Sequence, residues 1–235
     1  MDWRPIRTSA LHHVNLAHHA WIVEEAGWEV PSVYPPLENE VQVLHSGVGL
    51  CDTSSIGKFD VKGREAFEFL RKVYGAPVPE RVGDLQRTIE GHLSRGEESL
   101  LARLAEDHFY LVSTAGAAEE VLKGLMEKCR GWRGAYVFDM TSAFASITVA
   151  GPRGKDVLSR LTSLSVSDLP GLAGAQAGLA GVYSRLLKVR KVFHLHVPFE
   201  LGVYAWESLM EAGDEFDIAP FGSEAWRSYR EHENR

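Results

Sequence analysis

Two adjacent carboxylates, Glu97 and Glu98, follow the polar run Ser94-Arg95-Gly96 and open an apolar stretch from Ser99 to Leu104. Neighbouring acids cannot both find a partner locally. One of them turned into a cavity would act as a proton acceptor or anchor a ligand nitrogen, whereas a solvated loop pair would do neither. Histidines make two further groups. His12, His13, His18 and His19 crowd one amphipathic stretch, but no two stand at i, i+3 or i, i+4 and no further ligand follows, so they read as solvated or packed histidines rather than a metal site. His194 and His196 alternate along a strand-like run and share a face, which could hold one metal ion. With no Cys or carboxylate nearby, a sheet edge or interface is the plainer reading. Cys51 lies in no nucleophile motif, and neither a GxSxG elbow nor a GxGxxG or GxxxxGK[ST] phosphate loop occurs.

Composition narrows the classes. A net charge of -7 with no concentrated Lys/Arg run argues against a nucleic-acid binder and favours small molecules or proteins as partners. Hydrophobic residues at 45% and charged residues at 24% describe a globular chain able to bury its own core. Two cysteines outside any CxxC spacing suit a reducing compartment. Met1-Asp2-Trp3-Arg4-Pro5 lacks the start of a signal peptide and no run reaches the roughly 18 apolar residues of a spanning helix, so a cytoplasmic location away from membranes is expected, with no metal.

The elements that must position these residues come twice. Phe59-Asp60-Val61-Lys62-Gly63 leading into a helix, and Phe109-Tyr110-Leu111-Val112 leading into another, recur as Ile147-Thr148-Val149-Ala150-Gly151 and Phe193-His194-Leu195-His196-Val197. Phe109, Leu111, Leu125, Met126 and Glu127 reappear in register as Phe193, Leu195, Leu209, Met210 and Glu211. Helical stripes run through Ala66, Phe69, Leu70 and Val73 in the first copy and Val157, Leu158 and Leu161 in the second. Ala105-Glu106-Asp107-His108 has the length of a hairpin turn, and a weak alternation between Leu85 and Leu93 leaves room for one more strand in a stretch that the pattern does not decide. Ahead of the repeat, the pattern predicts a helix over Ser9–Glu25, a second over Glu38–His45 and a strand at Val48–Asp52. Pro170 to Gly181 reads as a Gly/Ala-rich linker. The expectation is an α+β fold of two related split βαβ-type units with pseudo-twofold symmetry, divided as 1–56 (an N-terminal helix and strand packing with the second unit), 57–136 and 137–235, with function where the units meet.

Several segments together resemble the aminomethyltransferase family, the T-protein of the glycine cleavage system, with its relatives among sarcosine and dimethylglycine dehydrogenases and the folate-binding iron-sulfur maturation proteins. Ala26-Gly27-Trp28-Glu29-Val30-Pro31 with Tyr34 looks like that family's AGWxMPxxY, and Gly49-Leu50-Cys51-Asp52-Thr53-Ser54-Ser55-Ile56-Gly57 is similar to its GLFDVSHMGK. Ala150-Gly151-Pro152 matches its QGP turn, and Phe221-Gly222-Ser223-Glu224-Ala225-Trp226-Arg227-Ser228-Tyr229-Arg230 resembles the FGxxAxxSxR segment of the dehydrogenase branch. The resemblance implies a tetrahydrofolate site in a central cavity between the units, with an acid on the folate nitrogens during one-carbon transfer.

On that alignment the family's Asp-Asp pair becomes Glu97-Glu98. The pterin-gripping Glu of TGYTGExGxE becomes Arg190, and an Arg becomes Glu224, with Tyr34 and Arg230 as further cofactor-site positions. An Arg cannot accept the hydrogen bonds that a pterin donates, so the resemblance implies a degraded folate site. The readings that follow are a tetrahydrofolate-dependent one-carbon transferase, or a non-catalytic accessory protein like the small subunit of sarcosine oxidase or the iron-sulfur maturation branch, whose KGCYxGQE motif is absent. Full T-proteins continue into a third, barrel domain beyond the Arg230 segment, so a protein partner completing it is expected.

Overall fold

The computed structural model describes residues 6–75, 77–89 and 98–233. Helix α1 (His12–Ala17) leads into a hairpin of β1 (Trp21–Glu25) and β2 (Trp28–Val33), then helix α2 (Leu37–Ser46) and strand β3 (Val48–Asp52). The single helix expected over Ser9–Glu25 is therefore a short helix and a strand. Trp21, Ile22 and Val23 favour extended backbone, and Ala26 (φ 51°) with Gly27 (φ 77°) supplies the two left-handed residues of a tight hairpin.

The first copy of the repeat runs β4 (Gly57–Lys62), α3 (Ala66–Tyr74), β5 (Leu85–Ile89), β6 (Glu98–Ala105), β7 (His108–Ser113), α4 (Ala118–Cys129) and β8 (Tyr136–Asp139). The second runs β9 (Phe144–Ala150), α5 (Gly154–Leu161), β10 (Leu172–Leu179), β11 (Val182–Val189), β12 (Val192–Pro198), α6 (Gly202–Gly213) and β13 (Ile218–Pro220), and α7 (Ser223–Glu233) closes the chain. The expected Gly/Ala linker is thus mostly strand β10. Its small residues carry no strand signature; backbone pairing holds it, to β11 along one side and at its start on the other, where Ala173 bridges Asp84 and the Gly174 N–H donates to Gly83 O (2.9 Å).

Two compact units result. One takes the described residues up to Ser55, Phe144–Gly171 and those from Gln176 onward, and the other takes Ile56–Ala143 with Leu172–Ala175. The first unit holds a sheet in the order β10-β11-β12-β9-β3-β13, and the second holds one in the order β5-β6-β7-β4-β8. The registers repeat as well. Phe59 faces Leu111 and Val61 faces Phe109 across β4 and β7, and Ile147 faces Leu195 and Val149 faces Phe193 across β9 and β12. The architecture is α+β: α3 and α4 cover one face of the second unit's sheet, α5 and α6 cover one face of the first unit's, and α2 and α7 pack on the opposite side of that first sheet against Cys51 and Ala150.

Each helix-covered face is apolar because strand residues alternate sides. In the second unit Phe59, Val61, Leu101, Phe109 and Leu111 pack with Phe69, Leu70, Val121 and Leu125. In the first, Ile147, Val149, Phe193 and Leu195 pack with Val157, Leu158, Trp206 and Leu209. The turn from the leading strand into each helix needs glycine: Gly63 (φ +117°) and Gly151 (φ +106°) are left-handed, and a Cβ would lie 2.3 Å from Gly134 O or 2.6 Å from Gly47 O.

Candidate functional site

Many of the sheet residues between those apolar ones face the other way and are polar, with Ser146, Thr148 and His196 buried and His194 and Thr53 partly so. On the first unit's sheet Ser146 Oγ lies 2.8 Å from His196 Nδ1, Thr148 Oγ1 lies 2.9 Å from His194 Nδ1, and Thr53 Oγ1 lies 3.0 Å from Thr148 Oγ1. The His194 ring stands edge-on to Trp226 at 6.3 Å, and the Arg185 guanidinium lies 4.4 Å from the Phe144 ring centroid. His194 and His196 thus share a face, as their spacing implies, and both point a ring nitrogen at a hydroxyl of β9. Among the described residues no three His, Cys, Asp or Glu side chains converge as a metal site. In the second unit the corresponding face buries Lys58, Asp60 and Tyr110, with Asp60 Oδ1 2.8 Å from His108 Nε2 and Asp60 Oδ2 3.2 Å from Lys62 Nζ.

A repeated turn feeds each face. Asp52 Oδ1 accepts the Ser54 N–H (3.0 Å), and Ser54 Oγ accepts the Ser146 N–H (3.0 Å). In the other unit Asp139 Oδ1 accepts the Thr141 N–H (2.9 Å), and Thr141 Oγ1 accepts the Lys58 N–H (3.2 Å). Both are Asx turns whose following hydroxyl ties down the neighbouring strand. Only Asp52 is buried, and its second oxygen accepts from Ser9 Oγ (2.5 Å) and Asn15 Nδ2 (2.8 Å). Tyr34 Oη in turn donates to Asn15 Oδ1 (2.9 Å), completing a Tyr34–Asn15–Asp52 chain. Burial, with Cys51, Asp52 and Glu40 nearby, drives the Tyr34 phenol far above the ordinary tyrosine range, so it stays a proton donor. Burial likewise keeps Cys51 a thiol rather than a nucleophilic thiolate.

Glu40 forms a second buried feature. Its oxygens accept the Tyr34 N–H (2.6 Å) and the Gly222 N–H (2.5 Å), joining the end of β2 to the start of α7. Burial raises its carboxyl pKa, with the Glu224 charge adding to the effect against the two backbone hydrogen bonds.

The residues singled out from sequence fall in three groups. Tyr34 and Glu224 come together around Glu40, and Glu224 Oε1 accepts the Ser32 hydroxyl (3.1 Å). Arg190 occupies the exposed two-residue turn between β11 and β12, at φ 56°, with its N–H donated to Gly171 O (2.5 Å). Glu97 lies outside the described residues. Glu98 opens β6 with its backbone opposite Ile89, Arg230 lies within α7, and the side chains of both are outside the described set. Sequence reasoning missed Ser9, Asn15 and Asp52 as a network, and Glu40 as the separate clasp beside it. The available signal was the repeat of Asp52-Thr53-Ser54 as Asp139-Met140-Thr141 before each leading strand.

The GCVT N-terminal domain family model matches residues 11–234, and the chain belongs to that family. Its relatives include the sarcosine oxidase subunit alpha of Corynebacterium sp. strain U-96, 30% identical over 250 residues, which cover 96% of this chain and 26% of that protein. The fold is that of the glycine cleavage system aminomethyltransferase T from Bartonella henselae, with a TM-score of 0.78 at 24% identity over 96% of this chain and 62% of that one. A chain of the heterotetrameric sarcosine oxidase from Corynebacterium sp. U-96, in complex with pyrrole 2-carboxylate, matches with a TM-score of 0.67 at 16% identity over 91% of this chain and 97% of that one. The chain spans about a quarter of the sarcosine oxidase alpha subunits and about three fifths of the aminomethyltransferases that it matches. No helix among the described residues is long and apolar enough to cross a membrane.

Proposed function

We propose that this chain is a folate-class domain whose tetrahydrofolate binding is degraded, and that it serves as a binding or accessory module beside an amine-oxidising or aminomethyl-transferring partner. The observation that carries this reading is the fate of residue 190. Where the family resemblance calls for an acid to accept pterin hydrogen bonds, the chain has an Arg on an exposed turn. The buried acids among the described residues, Glu40, Asp52 and Asp60, are already engaged with backbone amides, Ser9, Asn15, Lys62 and His108. They fit tetrahydrofolate poorly.

Support for a partner comes from the sarcosine oxidase relatives, one of which is a heterotetramer by its own description. The two free cysteines favour a cytoplasmic home. A second reading, an active one-carbon transferase, is favoured by the retained acid pair Glu97-Glu98, one of which would take the folate-nitrogen role.

Calorimetric titration with tetrahydrofolate separates the two. Losing two charge-assisted hydrogen bonds at roughly 1.5 to 3 kcal/mol each weakens binding by about a hundredfold or more, so weak or undetectable binding is expected. Arg190→Glu should tighten it measurably. Micromolar or tighter binding by the unmodified chain, lost in Glu97→Ala/Glu98→Ala, would establish the transferase reading in its place.

A further inference from the structure

Each unit follows its second long helix with an aromatic residue three positions on, Phe216 after α6 and Trp132 after α4. In the first unit this spot is electrically closed. Phe216 sits 4.5 Å from the Arg153 guanidinium and 4.6 Å from that of Arg160, ring centroid to Cζ. Arg153 Nε donates to Asp156 Oδ2 (2.6 Å), and Arg160 pairs with Glu215, holding the Glu215 carboxyl below the usual range. The loop itself reads Asp214-Glu215-Phe216-Asp217.

The same spot in the second unit has the opposite sign. Its loop reads Arg130-Gly131-Trp132-Arg133. Lys72, six residues into α3 as Arg160 is into α5, lies 6.0 Å from the Trp132 ring, and Phe69 meets that ring edge-on at 5.6 Å. Arg64, Lys72, Lys128 and Arg133 line a groove of about 670 Å³ beside the Trp132 ring, which the buried Phe69 backs. Its one acid, Glu65, accepts the Gly134 N–H at 2.8 Å. Among the described residues no carboxylate lies within ion-pair distance of those four cations. Four cations against the single acid Glu65, beside an aromatic ring and on a chain of net charge -7, form a localised field that attracts anions.

We infer that this groove binds an acidic segment of a partner polypeptide, an Asp or Glu side chain of which takes the place among the cations that Glu215 takes beside Arg160. A polypeptide is the occupant because the first unit fills the matching place with a side chain of its own, Glu215, and not with a free anion. A second groove, of about 760 Å³, continues past Lys72 and Trp132 toward Pro77 and Val78, but it carries Glu80 and a Glu68 paired with Arg71, so it suits a neutral flank of that segment and the acids stay in the first groove. The inference does not depend on the folate reading.

The test is calorimetry with a hexaglutamate peptide at low ionic strength, with hexaglutamine, citrate and inorganic phosphate as separate arms. Hexaglutamate should bind and weaken about tenfold in Arg64→Ala/Arg133→Asp, as it should on raising salt, which screens exposed charge pairs. Hexaglutamine should not bind. Should the double variant fail to fold by circular dichroism, Lys128→Glu at an exposed helix position serves the same test. Equal peptide affinity in wild type and variant would overturn the proposal, as would citrate or phosphate binding as tightly as the peptide. So would sedimentation showing a dimer that the variant dissociates, since a second copy would then fill the groove.

Discussion

The two units repeat each other's strand order and cross-strand register, yet their outer edges and buried faces differ. In the first unit β3 is joined by parallel β13, and helices α2 and α7 close over Leu44, Cys51, Ala150 and Phe221. In the second, β8 is the last strand and leaves Tyr136 and Phe138 half exposed. What the copies share are apolar alternation and left-handed glycine turns, which backbone sterics and burial impose on any sequence of this topology. The positions where they differ face solvent or a neighbouring element, and there the constraint is chemical. The contrast can be sharpened by making the same change in both units.

The largest effect is expected at the matching helix positions Phe69 and Val157, both fully buried. Phe69→Ala should cost about 3 to 5 kcal/mol and Val157→Ala about 2, scaling with the side-chain volume lost, and urea unfolding would measure both. Equal costs would mean that the second unit collapses around the cavity in a way that the first does not.

Backbone approach gives the next test. A Cβ on Gly222 would lie 2.0 Å from Ser32 O, a main-chain atom with no freedom to swing away, whereas one on Gly131 in the second unit's loop meets nothing within 4 Å. Gly222→Ala should therefore lower stability by roughly 3 kcal/mol, and Gly131→Ala should stay within about 0.5 kcal/mol. Thermal unfolding of the two variants side by side decides it.

The two Asx turns test the buried polar network. An Asn keeps the oxygen that accepts from residue i+2, so Asp139→Asn should change stability by no more than about 0.5 kcal/mol. At Asp52 the second oxygen becomes an NH2 facing two other donors, Ser9 Oγ and Asn15 Nδ2, and Asp52→Asn should cost about 2 kcal/mol. A free-energy difference near zero between these variants would show that the Ser9–Asn15–Tyr34 chain contributes nothing beyond the turn.

The parts of this fold legible in the sequence were those set by periodicity. Phe109 and Phe193 occupy the same place in β7 and β12, and Leu125 and Leu209 the same place in α4 and α6, because a strand or helix face must be apolar to be buried. The N-terminal hairpin was misread because Trp21, Ile22 and Val23 suit either a helix stripe or a strand, and only the left-handed Ala26-Gly27 pair settles it. Strand β10 was missed because Ala and Gly carry no period. At the site, Tyr34 and Glu224 could be picked out singly, but Glu40, which links them, gives no sequence signal. Its role comes from two backbone amides that are distant in the chain, Tyr34 and Gly222.

Among the described residues the second unit has no buried acid that accepts two backbone amides as Glu40 does, and the effect of Glu40 on stability should carry a definite pH sign. Burial raises its carboxyl pKa in the folded chain above the ordinary carboxylate value, which the unfolded chain retains. Between those two values the folded state holds more protons than the unfolded state, so this group's contribution is fully present below the ordinary carboxylate range and is lost as pH rises through the raised folded value. Glu40→Gln removes the titration and also deprives one of the two backbone N–H groups of its acceptor, at about 1 to 3 kcal/mol. The stability advantage of the unmodified chain over Glu40→Gln should therefore be greatest in acid and shrink with increasing pH, while titrations common to both proteins cancel in the difference. Urea unfolding from about pH 4 to pH 8 reads this directly. A difference that grows with pH would mean that the two amide hydrogen bonds outweigh burial and hold Glu40 as a carboxylate, making the clasp between β2 and α7 an anionic anchor.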